Sequence, residues 1–156
     1  MIRPAVPTDV PLIASLIREL AGYEKLGDQV QPNEARLAEH LFGDRPYCKC
    51  LIAEGDAGPV GFALFFYSYS TFGVCPKLYL EDLFVRPEAR GAGHGRDLLE
   101  ALATRAVERG CGRMEWSVLD WNEPAIGFYK RLGAGPAGGW TVYQLKGEAL
   151  AALAAG

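Results

Sequence analysis

The stretch LFVRPEARGAGHGRDLLEALA, residues 83–103, carries the first grouping of residues suited to chemistry. A strand-like segment runs through a Pro- and Gly-rich turn into a helix. There Gly91, Ala92, Gly93 and Gly95 let the backbone approach a ligand and aim its N–H groups into one concavity. Amides converging at a helix start hold phosphate. Arg90 and Arg96 bracket the turn with positive charge that can fork onto a phosphate. Two other phosphate motifs are excluded by single residues. A dinucleotide fingerprint beginning at Gly91 needs glycine at 96, which is Arg96, and a P-loop needs Lys then Ser or Thr after its last glycine. From the glycines alone, a β-to-α turn without a ligand stays open.

Glu81 and Asp82 stand side by side in the strand-like LYLEDLFV. Strand neighbours point to opposite faces, so a sheet covered on both sides would force one carboxylate inward. A solvated edge or a bulge would relieve this; otherwise the pair is a negative group able to bind or deprotonate a cation. In WNEPAIGFYKRLGA, residues 121–134, Tyr129 lies four positions after Ala125 on a short helical pattern, and its phenol can supply a proton to a leaving group. A core tyrosine fits the same pattern. Cys75 and Cys111 lack an adjacent basic residue to lower the thiol pKa, which argues against an acyl-enzyme.

The elements that must position these groups follow from the period of the apolar residues. Thr8 as cap and Pro11 in the first turn predict a helix over about 9–24, and Asn33 caps a second one that Gly43 ends. CKCLIAE, PVGFALFFYSY and KLYLEDLFV then read as an antiparallel meander. Helical period returns from His94 to Gly110, RMEWSVLD reads as a strand, Asn122 and Pro124 open a short helix, and WTVYQL reads as a last strand before an alanine-rich tail. The result is a mixed α/β sheet covered by helices on both faces.

At 156 residues, one domain over 1–156 is expected. The 16 Lys and Arg against 19 Asp and Glu, net −3, remove the electrostatic basis for nucleic-acid or anionic-membrane binding and suit a cationic partner. No apolar run is long enough to span a membrane and the first ten residues do not resemble a secretion signal, so a cytoplasmic protein is expected. Four cysteines without paired CxxC knuckles predict neither a disulfide framework nor a metal site, and Cys48 and Cys50 read as one buried strand face.

Together these motifs resemble the GNAT superfamily of acetyl-CoA-dependent N-acetyltransferases, whose pyrophosphate signature R/Q-x-x-G-x-G/A is matched by RGAGHG at 90–95. LAGYEKLGDQV at 20–30, LYLEDLFV at 78–85 and WNEPAIGFYKRLGA are similar to the diamine acetyltransferase branch, the spermidine/spermine and thialysine acetyltransferases; the resemblance spans about residues 2–145. It implies a GNAT-like fold, with a central mixed, mostly antiparallel sheet of six to seven strands, acetyl-CoA as co-substrate, no metal, and a homodimer. By position, Arg90, Gly91, Ala92, Gly93, His94, Gly95 and Arg96 would hold the CoA pyrophosphate. The backbone of Leu83, Phe84 and Val85 would pair with the pantetheine arm, and Asn122, Glu123, Pro124 and Ala125 would line its other side. Tyr129 matches the general acid and Glu81 the carboxylate that deprotonates the amine; Tyr23, Glu24 and Asp82 join it in an acidic acceptor cleft, with Glu115, Trp116 and Ser117 on a substrate-lining strand.

The polyamine enzymes carry a longer acidic loop where this chain has GAGPAGGW at 133–140, which contains no carboxylate. This favours shorter acceptors, a thialysine-like amino acid or a small diamine. A protein amine as acceptor and a non-catalytic acyl-CoA sensor remain as alternatives.

Overall fold

The computed structural model describes residues 1–156, which divide into two compact units, Met1–Ser117 and Val118–Gly156. The first unit holds β1 (Ile2–Pro4), α1 (Val10–Tyr23), α2 (Glu34–Phe42), β2 (Lys49–Gly55), β3 (Gly58–Ser70), β4 (Cys75–Val85), α3 (His94–Glu108) and β5 (Met114–Glu115). Its five strands form one sheet in the order β1-β2-β3-β4-β5, antiparallel throughout except for the parallel β4/β5 pair.

The two sheet faces are filled from alternating strand positions. Cys50, Ile52, Phe62, Leu64 and Phe84 form one buried cluster with Ile13, Leu16 and Leu20 of α1 and Leu41 of α2. Leu51, Phe65, Leu78 and Leu80 are buried with Leu98 and Leu102 on the α3 side. The cysteine reading holds for Cys50, which is buried in the first cluster, while Cys48 precedes β2 and packs against that cluster half-buried.

Helix ends follow local chemistry. Asn33 caps α2 by accepting the Arg36 N–H at 3.0 Å. Thr8 does not cap α1. A short 3-10 turn, Pro7–Asp9, precedes the helix, and the Asp9 carboxylate fixes it by accepting the Val6 N–H at 2.8 Å. Asp9 is the N-cap residue of α1, but its side chain makes no cap bond to the helix.

The sheet has fewer strands than the six to seven expected. Of RMEWSVLD, only Met114 and Glu115 pair with β4. The reason lies in β4, where the register with β3 shifts between Leu64 and Phe65: Leu80 faces Phe65, Asp82 faces Leu64, and Glu81 is the extra residue. Bulges bend strands, and this one lies just past Tyr79, the last residue with which β5 pairs. WTVYQL is not a strand. The second unit holds α4 (Glu123–Arg131) and α5 (Gly147–Ala155) and no strand, so the alternating pattern at 140–145 has no ladder to join there. Trp140, Val142 and Tyr143 are left exposed. The tail forms α5, as its alanine and leucine content allows.

Candidate active site

The bulge settles where Glu81 and Asp82 go. Phe65 and Leu64 are neighbours and point to opposite faces, so Leu80 lies on the α3 side while Asp82, two residues on, lies with Leu64 on the α1 side. Glu81 is exposed, and its charge acts on both Asp82 and the Cys48 thiol. Burial, then Glu81, then Glu24 push the Asp82 carboxyl up to about 6. Burial likewise raises Glu24, the residue that ends α1. None of the six ion pairs uses Glu24, Glu81 or Asp82. The sequence-derived acidic cleft is thus gathered in the first unit, and an ammonium would relieve its mutual repulsion.

Beyond the bulge, β4 keeps β3 on one side, while β5 pairs only with Leu78 and Tyr79 on the other. No strand covers that second edge at Leu83, Phe84 and Val85, where an extended ligand could take its place.

The edge leads into the turn at 90–96. Gly91 and Gly93 take φ of 81° and 91°, and a Cβ at either would meet nothing within 4 Å, so the glycines serve backbone shape on an open surface. Gly93 begins α3 without a side-chain cap. The first intrahelical bond there runs from Asp97 N–H to Gly93 C=O, which leaves the amides of His94, Gly95 and Arg96 without intrahelical acceptors. The buried ring nitrogen Nδ1 of His94 has no hydrogen-bond partner. Unspent amides at the start of a 15-residue helix suit a pyrophosphate.

Both arginines that flank the turn have partners within the protein. Arg96 Nε donates to Glu100 at 2.7 Å, a pair one helical turn apart. Arg90 Nε donates to the Val85 carbonyl at 2.9 Å, and its guanidinium lies 4.5 Å from the Tyr23 ring centre and 5.7 Å from that of Phe84. Glu115 is also engaged: Arg113 and then Lys77 hold its carboxyl below the usual range. Ser117 meets the Tyr79 hydroxyl at 3.1 Å and Trp116 is half-buried between Glu115 and Ser117.

In the second unit, Asn122 caps α4 by accepting the Ala125 N–H at 3.3 Å, followed by Glu123 and Pro124 in the first turn. Tyr129 is half-buried on α4, its ring 5.6 Å from that of Phe128. No cluster of three or more His, Cys, Asp or Glu side chains is placed to hold a metal, and no helix is long and apolar enough to cross a membrane.

Sequence reasoning missed the Arg90 stack and the buried His94 nitrogen, because both depend on which way a side chain turns. A separate hollow of about 240 Å³, lined by Lys49, Phe65, Tyr67, Arg105, Glu108 and Arg109, was also unforeseen. Its arginines bond the Ala101 carbonyl and stack on Tyr67, as suits cations at a helix C-terminus.

An uncapped Gly-rich helix start, reached from a strand edge without a partner strand, has the chemistry to take a phosphate-bearing ligand. The acetyltransferase (GNAT) family pattern matches residues 14–134, and the chain belongs to that family of N-acetyltransferase enzymes. It is similar to thialysine N-epsilon-acetyltransferase from Bos taurus, 42% identical over 99% of this chain and 96% of that one. It is 32% identical to an L-ornithine N5-acetyltransferase from Arabidopsis thaliana, over 97% of this chain and 86% of the relative. Among solved structures, an integron cassette protein of V. cholerae superposes with a TM-score of 0.82 at 29% identity, over 99% of this chain and 96% of that one.

Proposed function

We propose that the chain is one acetyltransferase domain that moves an acetyl group from acetyl-CoA to the terminal primary amine of a short cationic acceptor, either a thialysine-like amino acid or a small diamine or polyamine. The observation that carries this reading is the bulge in β4. It brings unpaired Glu81 and Asp82 to the stretch of strand whose free edge runs on to the turn at 90–96. When bound, the co-substrate supplies the acetyl thioester.

The chain's residues do the rest. An alkylamine resembles the lysine ammonium, pKa about 10.4, so only about one part in a thousand is nucleophilic near neutrality. Glu24, Asp82 and Glu81 attract the ammonium, and Glu81, directly or through water, receives its proton as attack begins. The Leu83 N–H donates to the oxygen that gains charge. Tyr129, in the role that the family resemblance implies, gives a proton to the departing thiolate. The amides of His94, Gly95 and Arg96 hold phosphate, and Asn122 positions the start of α4. The carboxylate-free loop at 133–140 and the two amino-acid-acetylating relatives support a short acceptor over a long polyamine. We further propose a cytoplasmic protein that forms a homodimer, the second as the family resemblance implies.

Thiol release from acetyl-CoA measured with thialysine, ornithine, lysine, putrescine, spermidine, spermine and a basic peptide tests this. The reading expects turnover with the amino acids or putrescine and at least tenfold lower kcat/KM for spermine. Turnover on the peptide alone, or acetyl-CoA binding with no thiol release from any amine, would overturn it.

A further inference from the structure

Tyr23 and Arg90 are assigned to different jobs, the acceptor cleft and the phosphate turn, yet they touch. The Arg90 guanidinium carbon sits 4.5 Å from the Tyr23 ring centre and 5.7 Å from that of Phe84, and its Nε is bonded to the Val85 carbonyl. Phe84 is 4% exposed and belongs to the core cluster on which Tyr23 packs, so the aromatic floor under the guanidinium is fixed. Arg90 is otherwise on the surface, where a long side chain is free to rotate, and ordering it on a ligand costs rotamer entropy. A side chain already stacked and bonded through Nε escapes most of that cost. The stack also sits at the break in the chain that ends α1. Glu24, next to Tyr23, acts on Asp82, and Lys25 follows with φ of 62°.

We infer that Tyr23 is a positioning residue for the co-substrate phosphate: its ring, and not its hydroxyl, holds Arg90 ready at the turn. The end of α1 then serves both ligands, since the segment that brings Glu24 to the acceptor cleft also sets the arginine at the phosphate turn. This rests on the reading of residues 90–96 as the pyrophosphate site.

The test is the dissociation constant of CoA, with pantetheine as a probe lacking the pyrophosphate, for the full chain and the variants Tyr23→Leu, Tyr23→Phe, Arg90→Ala and Tyr23→Leu/Arg90→Ala. Tyr23→Met, which fills the volume without a ring, replaces Tyr23→Leu should that variant fail to fold. Removing the ring should weaken CoA about three- to fivefold, the loss of one cation–π stack at an exposed site, and leave pantetheine unchanged. Tyr23→Phe should bind CoA within about twofold of wild type, as the ring stack requires. In the Arg90→Ala background the ring should no longer matter. Unchanged CoA binding in the ring-free variants, an equal loss in Tyr23→Phe, or additive losses in the double variant would each overturn the inference. If Arg90→Ala weakens CoA and Tyr23→Leu does not, the phosphate turn stands and only the role of Tyr23 falls. If wild type binds no CoA, both fall.

Discussion

At and along α1, carboxylates of the same chemistry meet opposite surroundings. Asp9, just before the helix, takes two N–H groups of Arg3 at 2.7 and 3.0 Å, and the same guanidinium reaches Glu54 of β2 at 2.7 Å. Glu19, within the helix, forks with Arg86 beyond β4 at 2.9 Å on both oxygens. Their arginines hold both carboxyls below the usual range. At the other end, Glu24 and its neighbour in space Asp82 have no arginine, and burial raises both. The first kind ties α1 to the sheet. The second kind leaves negative charge unmatched, which destabilises the folded chain unless a cation arrives.

The contrast is broken most directly by Glu81→Gln. It should lower kcat/KM for the amine by about a hundredfold or more, the usual contribution of a general base, with little change in melting temperature. Steady-state kinetics beside thermal unfolding checks it, and retained activity would make the unpaired cluster merely acidic surface. Asp9→Asn should do the reverse. It should cost about 2 kcal/mol of stability, because Arg3 loses its fork in a half-buried place, and leave kcat within about twofold, as measured by urea unfolding and kinetics.

Asp82→Asn sharpens the comparison through pH. The Asp82 carboxyl stands at about 6 in the folded chain against 3.8 for the ordinary group, so the folded state keeps the proton in that window and stability falls as pH rises through it. Removing the charge should therefore gain about 1 to 2 kcal/mol above pH 6 and nothing below pH 4, while raising KM for the amine. Asp9 and Glu19 have lowered carboxyls, so their contribution is present at neutral pH and is lost as acid protonates them. Denaturation curves at pH 4 and pH 8 separate the two signs.

Much of this arrangement was legible in the residues. The periods of α1, α2 and α3 and the three-strand meander appear in the apolar pattern, and the cap at Asn33 in one side chain. The turn at 90–96 showed in its glycines, and the conflict at Glu81 and Asp82 was visible as an irregularity in strand alternation. What could not be read was set by partners distant in sequence. That Arg90 stacks on Tyr23 depends on packing between a turn and a helix end sixty-odd residues apart. RMEWSVLD has the composition of a strand, but a strand exists only as far as its neighbour runs beside it. WTVYQL fails for the same reason within its own unit.

The register on either side of the bulge has a consequence for how this strand can be edited. Leu80 faces Phe65 and Asp82 faces Leu64, so the ladder from Cys75 to Val85 would run without a shift if Glu81 were simply removed. Every other residue of β4 would keep its partner and its face. Glu81 is in effect a single inserted letter that the β3/β4 ladder skips, and a chain lacking it should keep that pairing while losing the irregularity beside which β5 ends and the carboxylate proposed to take the amine's proton.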